Sequence, residues 1–343
     1  MCKRILASQT NTEEGVPFYK IGTIGNAPDA YISKELFDDY KTRYNYPHKG
    51  EVMITCAGTV GKCVIYDGKD AYYQDSNIVW IDNPSQCISN SFLYHLLAKV
   101  DWRKLNSTTI IRIYNDDLRN LKLSYPQIEE QQKISRLLSF LDERIVTQNK
   151  IIEDLKKLKS AISKKLLCND KWTTYKIQDI AEIGRGRVIS SVEIDRQKHP
   201  LYPVYSSQTS NNGTMGYLDN YMFDGEYITW TTDGANAGTV FYRKGKFNCT
   251  NVCGTLKIQP KFDCYFVSLV LQQATQKYVS ANLANPKLMN NTMASIKIRM
   301  PNIETQKQLS KVFQTLDSCL LVHQRTCKMY LSEKQYLLCQ MFI

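Results

Sequence analysis

Pro126-Gln127-Ile128-Glu129-Glu130-Gln131-Gln132-Lys133 recurs 175 residues later as Pro301-Asn302-Ile303-Glu304-Thr305-Gln306-Lys307-Gln308, and Leu141-Asp142 recurs at the same offset as Leu316-Asp317. A repeat of fixed period bears on the architecture before any single element does. Beyond each proline, apolar residues return at alternating spacings of four and three, the seam of a coiled coil rather than the broad face of a globular helix. The first seam runs through Ile134, Leu138, Leu141, Ile145, Gln148, Ile152, Leu155, Lys159, Ile162 and Leu166. The second runs through Leu309, Phe313, Leu316, Leu320, His323, Cys327, Tyr330, Lys334, Leu337 and Met341. Polar residues interrupt both at equivalent places, Gln148 with His323 and Lys159 with Lys334. A histidine at such a position reads as a register-setting residue before it reads as a ligand.

A helix of about 40 residues extends roughly 60 Å, too long to bury its seam on one compact domain. It needs a matching partner. The other helix, of equal length and frame, supplies one if the two run antiparallel, with a globular domain at each end; a helix of another subunit would satisfy the same pattern.

Upstream of each helix lie short β-type runs separated by glycine turns. Glu51–Thr55, Cys63–Tyr66 and Asn77–Ile81 precede the first helix; Glu226–Trp230, Thr239–Tyr242 and Gly254–Ile258 precede the second. Gly58 and Gly234, like Tyr66 and Tyr242, lie 176 apart. A short helix is expected near Phe92–Lys99 and again near Tyr265–Lys277, followed in each copy by a polar stretch and a strand running into the proline. The fold class is α+β, and the chain divides into 1–126, the long helix 127–171, 172–301, and the long helix 302–343.

With 343 residues, 22% charged and 43% hydrophobic, the chain has enough material for two cores. It has no 18-residue uncharged apolar run and no signal-peptide core after its basic start, so a cytoplasmic protein without a membrane span is expected. The net charge of +11 permits a polyanionic partner. It is spread as +1, +3, +5 and +2 over the four segments, so such a partner would meet a shaped surface and not a basic tail. Eleven cysteines without a Cys-x-x-Cys pair argue against structural zinc and against a disulfide framework. No metal site is expected.

Catalytic signatures fail on their particulars. Gly58-Thr59-Val60-Gly61-Lys62-Cys63 resembles the end of a phosphate-binding loop, but Cys56 stands where its first glycine belongs and Cys63 where its Ser/Thr belongs. Gly184-Arg185-Gly186-Arg187 lacks the third glycine of a dinucleotide loop. Asn285-Pro286-Lys287-Leu288 lacks the second proline and the aromatic of an adenine-methyltransferase loop. No nucleophile–base set has a local signature, and no catalytic residue is assigned.

Side chains suited to phosphates and base edges lie in the inter-strand loops: Lys20, Thr23, Lys62, Arg112, Tyr114, Arg187, Ser207, Gln208, Arg243, Lys244, Lys287 and Asn290. Each alone fits ordinary solvated loop chemistry. Arg112 and Lys287 stand out because they lie 175 apart, just ahead of the final strand of each copy. Many of the 22 tyrosines lie near loops, where they could stack on a base or equally fill the edge of a sheet core.

The combination resembles the DNA-specificity (S) subunits of Type I restriction-modification systems: a globular domain, then Leu-x-x-Pro-x-Ile-Glu-Glu-Gln-Gln-Lys-Ile and Leu-Asp, then a heptad helix, all repeated. Phe18-Tyr19-Lys20-Ile21-Gly22-Thr23 and Tyr73-Gln74-Asp75-Ser76-Asn77-Ile78 are similar to segments of that family's target-recognition domains. The likeness covers nearly the whole chain. It implies two mixed α/β target-recognition domains separated by two long antiparallel coiled-coil helices, and a non-catalytic subunit. Each domain would read one half of a split site on double-stranded DNA, with the helices fixing the spacing and docking modification subunits. S-adenosylmethionine and ATP would serve the modification and restriction subunits, with no cofactor in this chain. A coiled-coil scaffold with repeated protein-binding domains is the alternative. One departure is visible: with Lys3-Arg4-Ile5 laid over Gly186-Arg187-Val188, the lead-in Trp172–Arg185 has only Met1-Cys2 opposite it, so the first domain is expected to lack an opening strand or helix, as in a shortened member or a start internal to a longer frame.

Overall fold

The computed structural model describes residues 1–74, 77–104, 112–280 and 285–341. Asp75 and Ser76, inside one of the family-like segments, lie outside them. The chain forms two compact units, Met1–Lys150 with Gln324–Ile343, and Ile151–His323.

In the first unit, Val52-Met53-Ile54-Thr55 is buried along its whole length, as a central strand covered on both faces should be. It forms β3 (Val52–Thr55), flanked antiparallel by β4 (Cys63–Ile65) and β6 (Ile78–Ile81). A second small sheet sets β1 (Val16–Tyr19) between β2 (Tyr31–Ile32), antiparallel, and β5 (Tyr72–Tyr73), parallel. Helix α1 (Lys34–Arg43) is capped by Ser33, whose Oγ accepts from the Leu36 N–H, and buries Phe37 against that sheet. Helix α2 (Asn90–Lys99), capped by Ser89, lays Leu93 and Leu97 on Ile54 and Val79. After the short α3 (Asn115–Arg119) comes the long α4 (Ile128–Leu166).

The second unit opens with β7 (Thr173–Lys176), α5 (Ile177–Ile180) and β8 (Ala181–Arg185), followed by α6 (Ser191–Asp195), β9 (Tyr202–Tyr205) and β10 (Thr214–Leu218). Then come β11 (Glu226–Thr231), β12 (Val240–Lys244), β13 (Asn248–Cys249), β14 (Cys253–Ile258), α7 (Cys264–Ala274), α8 (Asn290–Ser295), β15 (Lys297–Met300) and the long α9 (Ile303–Met341). The main sheet runs β12-β11-β14-β8, which is β4-β3-β6 of the first unit with one strand added. The parallel pair β9–β13 repeats β1–β5. Trp230, fully buried on β11, donates from Nε1 to the Leu288 carbonyl at 2.9 Å. Its ring fills the place of a side chain on the neighbouring strand, since a Cβ on Gly254 would come within 2.2 Å of it.

The expected strand before each proline forms in one unit only. β15 runs into Pro301, whereas residues 121–125 are not a strand. The reason is the lead-in Trp172–Arg185. It supplies β7, the partner of β15, and β8, the outer strand beside β14; among the described residues the first unit has no counterpart of either.

Both long helices form, each 39 residues long. In the first unit the opening half of α4 lies beside the closing half of α9: Leu138 is fully buried in a cluster with Phe92, Leu96, Leu337, Leu338 and Met341. In the second unit the halves are exchanged, and Phe313 of α9 is fully buried in the main core with Ile162 of α4 packed on it. The helices are antiparallel in each unit. The seam lysines find their partners across the pair: Lys334 bonds Asp142, and Lys159 bonds Asp317. Each seam lysine thus meets the aspartate of the other helix's Leu-Asp. No helix among the described residues is long and apolar enough to cross a membrane.

Candidate nucleic-acid interface

β3 and β11 end in the same backbone frame. The Gly61 N–H donates to the Thr55 carbonyl and the Gly238 N–H to the Thr231 carbonyl, both at 2.9 Å. Both glycines have positive φ, +82° in each case, and both are crowded: a Cβ would come within 2.2 Å of the Trp102 ring at Gly61 and 2.7 Å of Val279 at Gly238. One residue further on, the Ile113 N–H donates to the Cys56 carbonyl and the Leu288 N–H to the Thr232 carbonyl, again at 2.9 Å. These bonds hold Arg112 and Lys287, the residues immediately before, against equivalent strand ends.

In the second unit further polar groups gather at this end of the sheet. Asp233 forms a β-bridge with Lys287, and Asn285 donates to the Asp233 carboxylate. Arg185 donates to the Asn251 carbonyl and, at 3.3 Å, to Thr232 Oγ1. Asn290, at the start of α8, donates to the Gly184 carbonyl. The loop carrying Ser207 and Gln208 is tied in by Asn236, whose Nδ2 donates to the Ser207 carbonyl at 3.0 Å. Gln208 itself donates to the Thr214 carbonyl, and Asn211 and Asn212 adopt left-handed φ of 48° and 53° to close the loop. Ser207, Gln208, Lys287 and Asn290 are therefore brought together.

Three expected residues of this unit are committed within the fold, although the Arg243 guanidinium reaches the loop of Ser207 and Gln208, where a Cβ on Gly213 would lie 3.0 Å from it and 3.3 Å from the Gln208 carbonyl oxygen. Lys244 lies at the opposite end of the β11–β12 ladder, paired with Glu226 at 3.1 Å. Arg243 is not a loop residue: the ladder continues through Lys244, and the guanidinium is buried, 3.5 Å from the Tyr205 ring centroid and 4.4 Å from that of Phe241. Burial pushes its pKa down to about 10, and its Nε donates to Thr229 Oγ1 at 3.2 Å. Arg187 is neutralised by a two-point ion pair with Glu193, which lowers the carboxylate's pKa.

In the first unit the turn after β1 meets the turn after β3. A Cβ on Gly25 would lie 3.5 Å from Lys62 Cε, and Ile21 is held by Gln74 Oε1 at 3.2 Å. The Thr23 hydroxyl is spent locally, accepting from the Lys20 N–H at 3.0 Å, and the Lys20 ammonium pairs with Asp29 at 3.0 Å. Arg112 lies over the exposed Tyr114 ring with 6.0 Å to its centroid. Arg185, Asn236 and Asn251 belong to the site and were not expected. Arg185 sits in the Gly184–Arg187 stretch, whose basic charge was its one visible signal. No candidate here forms a nucleophile–base pair; the groups are cations, amides and hydroxyls presented at strand ends, the chemistry that meets phosphates and base edges.

The family model described as Type I restriction modification DNA specificity domain matches residues 1–157 and again 169–328. A putative type I restriction enzyme specificity subunit of Haemophilus influenzae is 49% identical over 155 residues, covering 45% of this chain and 40% of that protein. A putative type I specificity subunit of Mycoplasma pneumoniae is 36% identical over 198 residues, covering 57% of this chain and 82% of that protein. The chain thus spans less than half the length of the Haemophilus relative and most of the Mycoplasma one. Among solved structures, the Type I restriction-modification S subunit from M. genitalium has the same fold, with a TM-score of 0.72 at 18% identity over 100% of this chain and 92% of that one. With the repeat, the twin strand-end frames and two matches that together take in most of its length, the chain belongs to the Type I restriction modification DNA specificity family.

Proposed function

We propose that this chain is the DNA-specificity subunit of a Type I restriction-modification complex. Each unit reads one half of a two-part site on double-stranded DNA, and the paired helices set the gap and dock the modification subunits. The single observation that carries this reading is the matched frame that presents Arg112 and Lys287 at equivalent strand ends in two repeated units. In this reading the chain is non-catalytic and cytoplasmic. Its cations neutralise phosphates and fix position, while amides and hydroxyls such as Gln208, Ser207 and Asn290 select among base edges. Adenine methylation with S-adenosylmethionine and ATP-driven restriction belong to the partner subunits.

The test is methylation sequencing of a random-sequence duplex library after treatment with the chain and its modification subunits. A two-part motif with a fixed gap is expected, and Arg112→Ala should weaken preference in one half only. A contiguous motif, or DNA binding without salt dependence, would point to the protein scaffold instead.

A further inference from the structure

Gln131 and Gln306 are the repeated glutamines of the segments that open the two long helices, and both are buried, at 0% and 1% exposure. A primary amide offers two donors and one acceptor oxygen, and burying it unpaired is costly. Two of its bonds recur in both units, to a helix cap and to the proline carbonyl. Gln131 Oε1 accepts from the Ser89 N–H at 2.8 Å, and its Nε2 donates to the carbonyls of Pro126 at 2.9 Å and Cys87 at 3.0 Å. Gln306 Oε1 accepts from the Asp263 N–H at 3.0 Å, and its Nε2 donates to the Pro301 carbonyl at 2.8 Å.

Ser89 and Asp263 are the capping residues of α2 and α7, the helices on which the two main sheets rest. One side chain in each unit therefore joins the first turn of the long helix, the proline turn ahead of it, and the cap of the helix that carries the sheet. Apolar contacts alone let such a junction rock; hydrogen bonds are directional and hold an angle. We propose that Gln131 and Gln306 are positioning residues that fix the angle at which each unit's loops leave its long helix, and so set how sharply the complex measures the gap between half-sites. This rests on the DNA-reading function proposed above. The leverage is adequate: over a lever of about 20 Å, the scale of a domain this size, a tilt of about 10° moves the loops by about one base-pair rise.

Gln131→Met keeps the volume and removes every hydrogen bond. In the complex with modification subunits, acting on duplexes that differ only in gap length, the wild type should favour one gap. Gln131→Met should lower that preference over gaps one base pair longer or shorter by about tenfold, a loss of about 1.4 kcal/mol in discrimination. Phe37→Leu, in the other core of the same unit, serves as the control for lost stability and should keep the gap sharp. A folded Gln131→Met with wild-type gap preference overturns the inference, as does equal blurring by Phe37→Leu. If Gln131→Met does not fold, Gln131→Glu, which keeps the acceptor for Ser89 but turns a carboxylate oxygen toward the two carbonyls, is read in the same way. A wild type without a two-part site refutes the proposed function, and the positioning role with it, a result distinct from a sharp gap that the variants leave unchanged.

Discussion

Replacing Lys334 by methionine should cost the first unit about 2 kcal/mol, between the fraction of a kcal/mol typical of exposed ion pairs and the 3–5 kcal/mol of breaking a fully buried one. The intermediate value follows from the exposures: the side chains of Lys334 and Asp142 are 17% and 33% exposed, so removing the ammonium strands a carboxylate that water only partly reaches. Urea denaturation of Lys334→Met, Asp142→Leu and the double variant forms a cycle in which the coupling should exceed about 1 kcal/mol. The double variant should recover much of the loss, because it leaves no lone charge. Lys159→Met should cost less, since Asp317 keeps a hydrogen bond from the Tyr265 hydroxyl at 2.6 Å. The exposed Lys157–Glu153 pair on the same helix should couple far more weakly, because water screens both charges. A coupling for Lys334 and Asp142 as small as that of Lys157 and Glu153 would refute the view that the seam charges fix the pairing of the helices.

His95, buried beside that ion pair, has its pKa lowered from 6.5 to about 4, first by desolvation and then by the Lys334 charge. The unfolded chain therefore binds more proton between these values, and stability should be full above pH 6.5 and fall as pH drops toward 4. His95→Leu, which copies Leu269 of the second unit, should flatten that profile in pH-dependent thermal melts; an unchanged slope would assign the dependence to other groups. Lys287→Ala should weaken binding to all duplexes and reduce the salt slope by about one, read by fluorescence anisotropy at several salt concentrations. Gly254→Ala should destabilise the second unit by about 1–3 kcal/mol in thermal melts, because the new methyl meets the Trp230 ring.

The long helices were legible in the sequence because their period is sustained over ten seam positions and repeated, and the central strands because Val52–Thr55 and Glu226–Thr231 are rich in β-branched and aromatic residues. The second sheet of each unit was not. Its strands are two to five residues long, and both parallel pairs contain a proline, Pro17 or Pro203, which weakens a strand signal. Helix α1 buries only Phe37 and has no apolar stripe to announce it. The matching positions of Arg112 and Lys287 could be read from their spacing, but the bonds that hold them join residues more than fifty apart. Arg243 looked like a loop cation because Lys244-Gly245 reads as a turn; pairing with Glu226 and Tyr227 carries the strand through it. The repeated glutamines were visible as a repeat, while their partners, the caps of α2 and α7, follow no local rule.

The difference in strand number between the two sheets has a consequence for handling the protein in solution. In the second unit β8 occupies the flank of β14, whereas the three-stranded sheet of the first unit ends at Ile78-Val79-Trp80-Ile81. Among the described residues no strand pairs with the outer side of β6, an edge to which an extended peptide can add. Clumping on concentration or storage should therefore start in the N-terminal half, and a lysine facing solvent on that flank should delay it.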